Sequence, residues 1–276
     1  MQTRNSTYNI QNASLGIERE VDRLKAQASM GWEKEYRNLK WYGLKDGMDI
    51  LELGSGPGFY TEQLLNNLPQ SRVTALEIDS LLQDKAKQML SNVSNSKLNF
   101  VQASVYDTGL PDNTFDFAVA RLLFLHLHHP VEAAKEIFRV LKPGGKLAII
   151  DIDDGIFGVI HPVVESLHSI VKKLADLQAS KGGNRYLGRM LPRLLREAGF
   201  FDVDIDATLQ HSDIHGVEGF RKQFNIQRFK GFFERGILSQ DEFEQIRESS
   251  ERLDTSEDAY AMMTFILGCG TKPTFN

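Results

Sequence analysis

Short apolar runs alternate with longer amphipathic segments through the middle of the chain. The amphipathic segments, such as 81–90, repeat apolar residues at steps of three and four, which is typical of helices packed on one face. Strand-length runs separated by such helices predict parallel βαβ units and therefore an α/β fold. The predicted strands lie at 48–53, 72–78, 97–102, 115–120 and 146–152.

The two ends of the chain depart from that alternation. Residues 15–41 carry the apolar steps of a surface helix and follow a polar arm. In the second half helical patterns dominate, for example at 163–179. Between them, 201–209 alternates apolar and acidic residues as a strand with one solvated face does, and 259–268 is a last, mostly apolar strand.

These patterns divide the chain into two parts. Residues 1–46 are expected to form an N-terminal arm and leader helix, and 47–276 the main domain. Within the main domain we expect two helical additions, at about 155–187 and 211–256, to form a cap over a substrate.

A glycine-rich stretch joins the first predicted strand to the following helix. It contains Gly54, Gly56 and Gly58, and such a turn lets backbone N–H groups approach a nucleotide-type ligand closely. A dinucleotide fingerprint requires its third glycine at position 59, where this chain has Phe59, so a nicotinamide cofactor is not favoured. Glu77 ends the second strand, 23 residues past Gly54, where an acid can accept hydrogen bonds from ribose hydroxyls.

Residues after the second and third strands extend this candidate nucleoside site. Asp79 is the neighbouring alternative to Glu77 for the ribose. Ser104 offers a small polar side chain that, with a nearby backbone N–H, can read an adenine edge. The apolar side chains of Ile78 and Val105 are placed to sandwich the ring.

Composition narrows the kinds of partner. The net charge of −5 does not favour nucleic acid, and the single cysteine excludes an internal disulfide and a cysteine-based metal cluster. No run approaches the ~20 apolar residues of a membrane span, and the polar first residues lack the apolar core of a signal peptide. We therefore expect a cytoplasmic protein that acts on a small molecule, without nucleic acid, membrane or metal; its oligomeric state is left open.

Four successive motifs make the chain recognisable: LELGSGPG, LEID, QASVYDTGLPDNTFDFAVARLLFLHL and LKPGGKLAIID. In each of them the chain resembles the class I S-adenosylmethionine-dependent methyltransferases, and the resemblance is strong over 47–153. The pattern from Glu18 to Gln27 looks like the leader helix of small-molecule members. The resemblance implies a Rossmann-like, seven-stranded, mostly parallel sheet with helices on both faces and one antiparallel strand, here 259–268, near the edge.

The resemblance also implies contacts with S-adenosylmethionine. The glycine turn is expected to lie under the methionine part with Glu52 below it, and Glu77 to hold the ribose. Many members have aspartate where this chain has Ser104, which weakens one hydrogen bond by about 1 kcal/mol. Arg121 and Leu122 are expected to border the sulfonium and the substrate. The complete set of expected cofactor-binding residues is Glu52, Gly54, Ser55, Gly56, Gly58, Glu77, Ile78, Ser104, Val105, Arg121 and Leu122.

One histidine is a candidate for catalysis. His126 follows the fourth strand near the expected substrate mouth, so it is the candidate general base for an oxygen or carbon nucleophile. With His128 and His129 it also forms a cluster of possible metal ligands, but no carboxylate is spaced with them as in a zinc motif, and a surface or capping role is preferred.

Further side chains in the second half have both a binding and a structural interpretation. Arg185, Tyr186 and Arg189 can bind an acidic or hydroxylated substrate, although arginine at a helix start is usually a surface residue. His161 and His168 can share one helix face that points into the pocket, or a solvated face. The phenylalanines at 220, 224, 229, 232 and 233 are expected to form the core of a helical cap, which favours an apolar substrate if the cap closes over the site.

The favoured function is methyl transfer from S-adenosylmethionine to a small-molecule acceptor, with the oxygen, nitrogen or carbon nucleophile unresolved. A non-catalytic S-adenosylmethionine-binding protein is the first alternative, and a nucleotide-cofactor oxidoreductase is the second.

Overall fold

The computed structural model describes residues 6–13, 16–156, 158–223 and 226–274. Helix α1 (Ile17–Trp41) precedes an α/β core and corresponds to the predicted leader helix; Leu15 lies outside the described residues. The core elements are β1 (Asp49–Leu53), α2 (Phe59–Asn67), β2 (Arg72–Glu77), α3 (Ser80–Met89), β3 (Leu98–Gln102), β4 (Phe115–Arg121), α4 (Pro130–Val140) and β5 (Leu141–Asp151).

The second half adds helices and three strands to the core. A capping box at Ser239 and Glu242 begins the last helix, because each side chain accepts a hydrogen bond from the other residue's backbone N–H. The elements are β6 (Gly158–His161), α5 (Leu167–Ala179), α6 (Leu191–Glu197), β7 (Phe201–His211), α7 (Ser212–His215), α8 (Glu218–Gln223), α9 (Ile226–Glu234), α10 (Gln240–Thr255) and β8 (Tyr260–Thr271).

One mostly parallel sheet organises these elements. The strand order is β3-β2-β1-β4-β5-β8-β6, and β7 pairs with the other side of β8. Strands β1 to β5 pair in parallel, whereas β8 runs antiparallel to β5, β6 and β7. The expected α/β fold with one antiparallel strand near the edge is confirmed, but the sheet has eight strands instead of the expected seven.

Strand β6 accounts for the difference. It lies in the segment 155–187, which the sequence pattern predicts as a helical addition. Strand β8 pairs with β5 through residues 266–271, so its first residues extend past the end of β5. Residues 158–161 pair with this free edge, from His161 opposite Tyr260 to Gly158 opposite Met263. Pairing with a distant strand, which leaves no local pattern, therefore decides this element.

Strand β8 is also longer than predicted. It continues to Thr271, whereas the sequence pattern ends the strand at Gly268. Both glycines of its last third are required by packing: a Cβ at Gly268 would lie 2.8 Å from Leu191 Cβ, and one at Gly270 2.7 Å from Phe200 Cβ. The glycines that signal a strand end in the sequence thus allow helix α6 and its following turn to pack against the sheet.

Helices cover both faces of the sheet. Alternate residues of β1 point to opposite sides, so Ile50 packs with Trp32 and Leu64 of α1 and α2, whereas Leu51 packs with Ile137 of α4. No helix in the described ranges is long and apolar enough to cross a membrane. Of the predicted cap phenylalanines, Phe220 is fully buried, 229, 232 and 233 pack against the α1–α2 side, and Phe224 lies outside the described residues.

The chain reverses its direction of winding at β1. From β1 it moves to β2 and β3 on one side, then returns to β4 on the other. Ligands of open α/β sheets bind in the crevice beyond the carboxyl ends of the strands at such a point. The glycine turn, the end of β2 and the residues after β4 all meet there.

Candidate functional site

The glycine turn departs from β1 in a left-handed backbone conformation. Gly54, Gly56 and Gly58 have φ angles of +66°, +56° and +88°. A Cβ at Gly56 would meet nothing within 4 Å, so this part of the backbone borders open space. A Cβ at Gly58 would lie 3.0 Å from Ala86 Cβ, so Gly58 allows α2 to begin close against α3.

Glu77 holds the glycine turn at the end of β2. Its Oε2 accepts a hydrogen bond from the Gly56 N–H at 2.9 Å, and its Oε1 accepts one from the Asp79 N–H at 2.8 Å. Burial raises the pKa of this carboxyl. The Asp79 carboxylate instead accepts from the Leu81 N–H at 3.0 Å and caps α3. Of the two predicted ribose acids, Glu77 therefore contacts the turn directly, while Asp79 fixes the next helix.

Glu52 lies beneath the turn in a dry environment. Its carboxyl is buried, and the Thr61 hydroxyl donates a hydrogen bond to Oε2 at 2.6 Å. Burial raises the pKa of Glu52 to about 8, with the Glu77 charge acting in the same direction. Glu52 is thus mostly protonated at neutral pH and can donate a hydrogen bond toward a ligand or a water.

A cavity of about 730 Å³ opens beside the turn and extends to the helices of the second half. A second space of about 50 Å³ adjoins it, and Ser104, Val105 and Ile78 line it. Of the predicted cofactor-binding residues, Gly58 lines neither space. The main cavity is lined by the predicted residues Glu52, Gly54, Ser55, Gly56, Glu77, Ile78, Arg121, Leu122 and His126.

Arg121 closes one wall of the cavity while it binds the leader helix. Its Nε and Nη2 donate to the Glu35 carboxylate at 2.7 and 2.9 Å, and Nη2 also donates to the Gln27 carbonyl at 2.9 Å. Burial by itself lowers the pKa of Arg121, but Glu35 raises it overall. The following residue, Leu122, has a positive φ of 52° and donates its N–H to the Ile150 carbonyl at 2.8 Å.

His126 lies in the wall of the cavity, but its surroundings do not suit a general base. Burial lowers the pKa of His126 to about 3, and Arg185 and Arg23 lower it further. Nδ1 lies 2.8 Å from the Thr7 hydroxyl and 3.4 Å from Gln178 Nε2, which also donates to the Leu125 carbonyl. The tautomer that accepts both hydrogen bonds at Nδ1 carries its proton on Nε2. The imidazole is therefore a neutral donor in this structure, and the proposed base function stays a prediction that these features disfavour.

The other histidines lie apart from the site or at its rim. His128 and His129 are exposed and do not line the cavity. His161 belongs to β6, where it stacks on Tyr260, so the prediction that it shares a helix face with His168 is wrong. His168 is exposed on α5 at the cavity rim. In the described part of the chain, no group of three or more histidine, cysteine or acidic side chains is placed to hold a metal ion.

Charged residues that the sequence patterns do not single out complete the far end of the cavity. Arg23 of α1 donates to Glu20 at 2.9 and 2.7 Å, and Arg228 of α9 lines the cavity with both of them. In the sequence, the charged pattern of the leader helix was the only local feature that included Arg23 and Glu20. It did not indicate a site, because an arginine on a helix is usually a surface residue. Tyr8 donates its hydroxyl to Glu20 at 3.3 Å and contacts the His126 ring.

The predicted set of Arg185, Tyr186 and Arg189 divides between cavity and surface. Arg185 lines the cavity and pairs with the buried carboxylate of Asp154. Arg189 and Tyr186 lie outside it; Arg189 is 56% exposed, pairs with Asp153 and lies over the Tyr186 ring.

Comparison with known protein families gives a match for the part of the chain that carries the glycine turn and the parallel strands. Residues 51–149, which run from β1 into β5, match the methyltransferase domain family. Over these residues the match confirms the resemblance to the class I S-adenosylmethionine-dependent methyltransferases. Enzymes of this class use S-adenosylmethionine as their cofactor, so the oxidoreductase alternative has no support.

The chain is similar to relatives of differing length. It is 36% identical over 110 residues to an uncharacterised methyltransferase of Schizosaccharomyces pombe, which covers 38% of this chain and 40% of the relative. It is 32% identical over 157 residues to a malonyl-[acyl-carrier protein] O-methyltransferase of a Paenibacillus species, with 56% and 55% covered. The chain thus spans about half the length of these curated relatives.

Among solved structures, the chain resembles a Haemonchus contortus phosphoethanolamine N-methyltransferase with a TM-score of 0.59 and 17% identity. That match covers 96% of this chain and 58% of the other, which was solved with phosphomonomethylethanolamine and S-adenosylhomocysteine. At this identity the likeness concerns the fold alone.

The residues present fit S-adenosylmethionine. Gly56 borders open space, and the Glu77 carboxyl that holds it lines the same cavity. The Ser55 and Tyr60 hydroxyls are buried beside the main cavity without a hydrogen-bond partner among the described residues. Buried polar atoms in this position are suited to a polar ligand, because an unsatisfied hydroxyl costs free energy.

Proposed function

We propose that the protein transfers the methyl group of S-adenosylmethionine to a small-molecule acceptor. One observation carries this proposal: a single cavity of about 730 Å³ joins the glycine turn and Glu77 to residues of α1, α5 and α9. A volume of this size holds a small ligand beside the cofactor, since ligand pockets span roughly 300–1,000 Å³.

The proposed cofactor subsite lies at the carboxyl ends of β1 and β2, where the glycine turn and Glu77 meet. Gly54, Ser55 and Gly56 would border the methionine part, and Glu77 would hold the ribose. The edge of the adenine would point toward the smaller space beside Ser104 and Val105, since this space adjoins Glu77 and Ile78. Gly58 would contribute only by positioning α2.

The proposed acceptor subsite lies under the helical additions. Leu174 of α5 and Phe229 and Phe232 of α9 line the cavity, and the leader helix contributes Leu24. These side chains support the proposal that 155–187 and 211–256 form a cap. An apolar cap excludes water, which would favour transfer to the acceptor over other reactions of the methyl group.

When bound, S-adenosylmethionine supplies an electrophilic methyl group. The protein's task is therefore to align the acceptor's nucleophile with that group and to exclude water. Arg121, fixed by Glu35, and Leu122 line this cavity and would border the point where the two proposed subsites meet. With His126 neutral and its Nδ1 accepting hydrogen bonds, a nucleophile that needs no protein base, such as an amine or an ionised oxygen, suits the site best.

Calorimetry with S-adenosylmethionine and S-adenosylhomocysteine tests the cofactor subsite, and both should bind. Absence of binding at saturating ligand, with the fold intact by circular dichroism, would overturn the proposal. A screen of acceptor extracts for release of S-adenosylhomocysteine then tests transfer. Tight cofactor binding with no release for any acceptor would support the alternative of a non-catalytic S-adenosylmethionine-binding protein.

A further inference from the structure

Three arginines from separate elements converge on the acceptor end of the cavity. Arg23 belongs to α1, Arg185 follows α5, and Arg228 belongs to α9; we call them the arginine cluster. Among the described lining residues of this end that are not solvent-exposed, the carboxylates are Glu20 and Asp154. Three guanidinium charges therefore face two carboxylate charges.

The remaining charges do not remove this excess. The exposed rim residues Glu165 and Lys181 also line the cavity and offset each other. His126 is neutral, because burial lowers its pKa to about 3. The acceptor end thus carries an excess of one positive charge among the described residues.

The guanidinium groups influence one another and the same imidazole. The pKa of Arg228 is lowered to about 10 by burial and by Arg23, with Arg185 acting in the same direction. Arg185 and Arg23 also lower the pKa of His126. All three arginines and His126 also line the same cavity, so they are placed to act on one bound ion. Their partial burial favours a counter-ion for the excess charge.

Apolar side chains of two cap helices line the same cavity as the arginine cluster. They are Val171 and Leu174 of α5 and Phe229 and Phe232 of α9. A ligand that satisfies both surfaces has an anionic end and an apolar body. Its anionic end can also accept a hydrogen bond from His126 Nε2–H, the donor that remains once Nδ1 accepts from Thr7 and Gln178.

We propose that the methyl acceptor carries a carboxylate or phosphate group, which the arginine cluster binds, on an apolar body that lies against α5 and α9. This inference rests on the proposed function and specifies the substrate class of that site. Arginine suits the task because its planar guanidinium can donate two parallel hydrogen bonds to a carboxylate or phosphate.

The test compares four probes of equal chain length on protein saturated with S-adenosylhomocysteine: octanoate, octyl phosphate, octan-1-ol and octylammonium. Calorimetry should show at least one anion binding about tenfold or more tightly than the alcohol, and octylammonium binding most weakly. The two anionic arms distinguish a carboxylate from a phosphate site. Equal affinity for octylammonium and both anions would overturn the proposal without any variant.

Matched variants locate the anion. Arg228→Gln should lose about tenfold in affinity for the preferred anion and leave affinity for octan-1-ol and S-adenosylhomocysteine unchanged. Lys230→Gln, on the same helix and outside the cavity, should change none of these values. Undiminished anion binding by a folded Arg228→Gln protein would also overturn the proposal. Failure of the protein to bind S-adenosylhomocysteine is a separate result that contradicts the proposed function.

Discussion

At the residue scale, a comparison of Gly56 with Gly47 separates two effects of an added side chain: the strain on the backbone and the loss of space for a ligand. Gly56 and Gly47 both have positive φ, +56° and +90°, and a Cβ at either would meet nothing within 4 Å. Gly56→Ala and Gly47→Ala should therefore each lower the free energy of unfolding by about 1–2 kcal/mol. Of these two glycines, Gly56 lines the cavity together with Glu77, whereas Gly47 does not line it.

We expect Gly56→Ala to weaken S-adenosylmethionine binding by about tenfold or more, since its methyl group would occupy cofactor space. Gly47→Ala should lose about as much stability as Gly56→Ala but keep the affinity for S-adenosylmethionine unchanged. Urea unfolding and calorimetry on both variants give the two quantities. Equal cofactor affinity in the two variants would show that the turn does not approach the ligand.

At the element scale, one buried ion pair connects the leader helix to the sheet. The Glu35 side chain is 0% exposed and that of Arg121 8%, and the guanidinium also lies over the Tyr60 and Phe265 rings. Removing one partner of a buried pair leaves an uncompensated charge, which typically costs about 3–5 kcal/mol.

Arg121→Met should lower the free energy of unfolding by about this amount, and the double variant Arg121→Met/Glu35→Gln should recover part of it. The exposed pair of Arg247 with Glu251 provides the control, because Arg247→Met should cost less than about 1 kcal/mol. Urea denaturation of the four proteins measures this. If the double variant were no more stable than Arg121→Met, the Glu35 charge would not be the cause of the loss.

Elements with a local signal were predictable, and elements decided by distant partners were not. Strands β1 to β5 each carry an apolar run, and Glu242 marks the start of α10 through its capping box. Strand β6 has no such pattern, because it forms only where β8 extends past β5. Gly268 resembles a strand end in the sequence, yet it is a packing requirement inside β8.

The same distinction applies to the site. Glu77 and Gly56 lie in contiguous motifs, so their neighbourhood was predictable from spacing. Glu35, Arg23 and Arg228 lie on helices that meet the sheet only in the folded protein, and their local patterns are those of ordinary surface helices. Sequence patterns alone therefore indicated the cofactor more completely than the acceptor.

At the scale of the whole molecule, buried titrating groups determine how stability varies with pH. Burial raises the pKa of Glu52 from 4.5 to about 8 and that of Asp151 from 3.8 to about 7. In each case the folded state binds more protons than the unfolded state between the two values. Their stabilising contribution is therefore fully present below the unfolded pKa and is lost as pH rises through the folded pKa, at up to about 1.4 kcal/mol per pH unit each.

Other groups act in the opposite direction at lower pH. The lowered pKa of His126, about 3 instead of 6.5, means that its contribution is present above pH 6.5 and is lost as pH falls toward 3. Lys173 and the Ser239 N–H lower the pKa of Glu242 to about 2, although burial opposes them, so its contribution is lost below pH 4.5. Between pH 4.5 and 6.5 the two carboxyls outweigh the imidazole, and above 6.5 they act alone.

We therefore expect the free protein to be most stable near pH 5 and to lose stability steadily up to pH 8. Urea unfolding at intervals of pH measures this directly. In Glu52→Gln/Asp151→Asn, which keeps the size of both side chains but cannot ionise, the decline from pH 5 to 8 should flatten, because folded and unfolded states then bind equal numbers of protons at these positions. A wild-type protein whose stability rises over this range would contradict the protonation of the Glu52 and Asp151 carboxyls in the folded state.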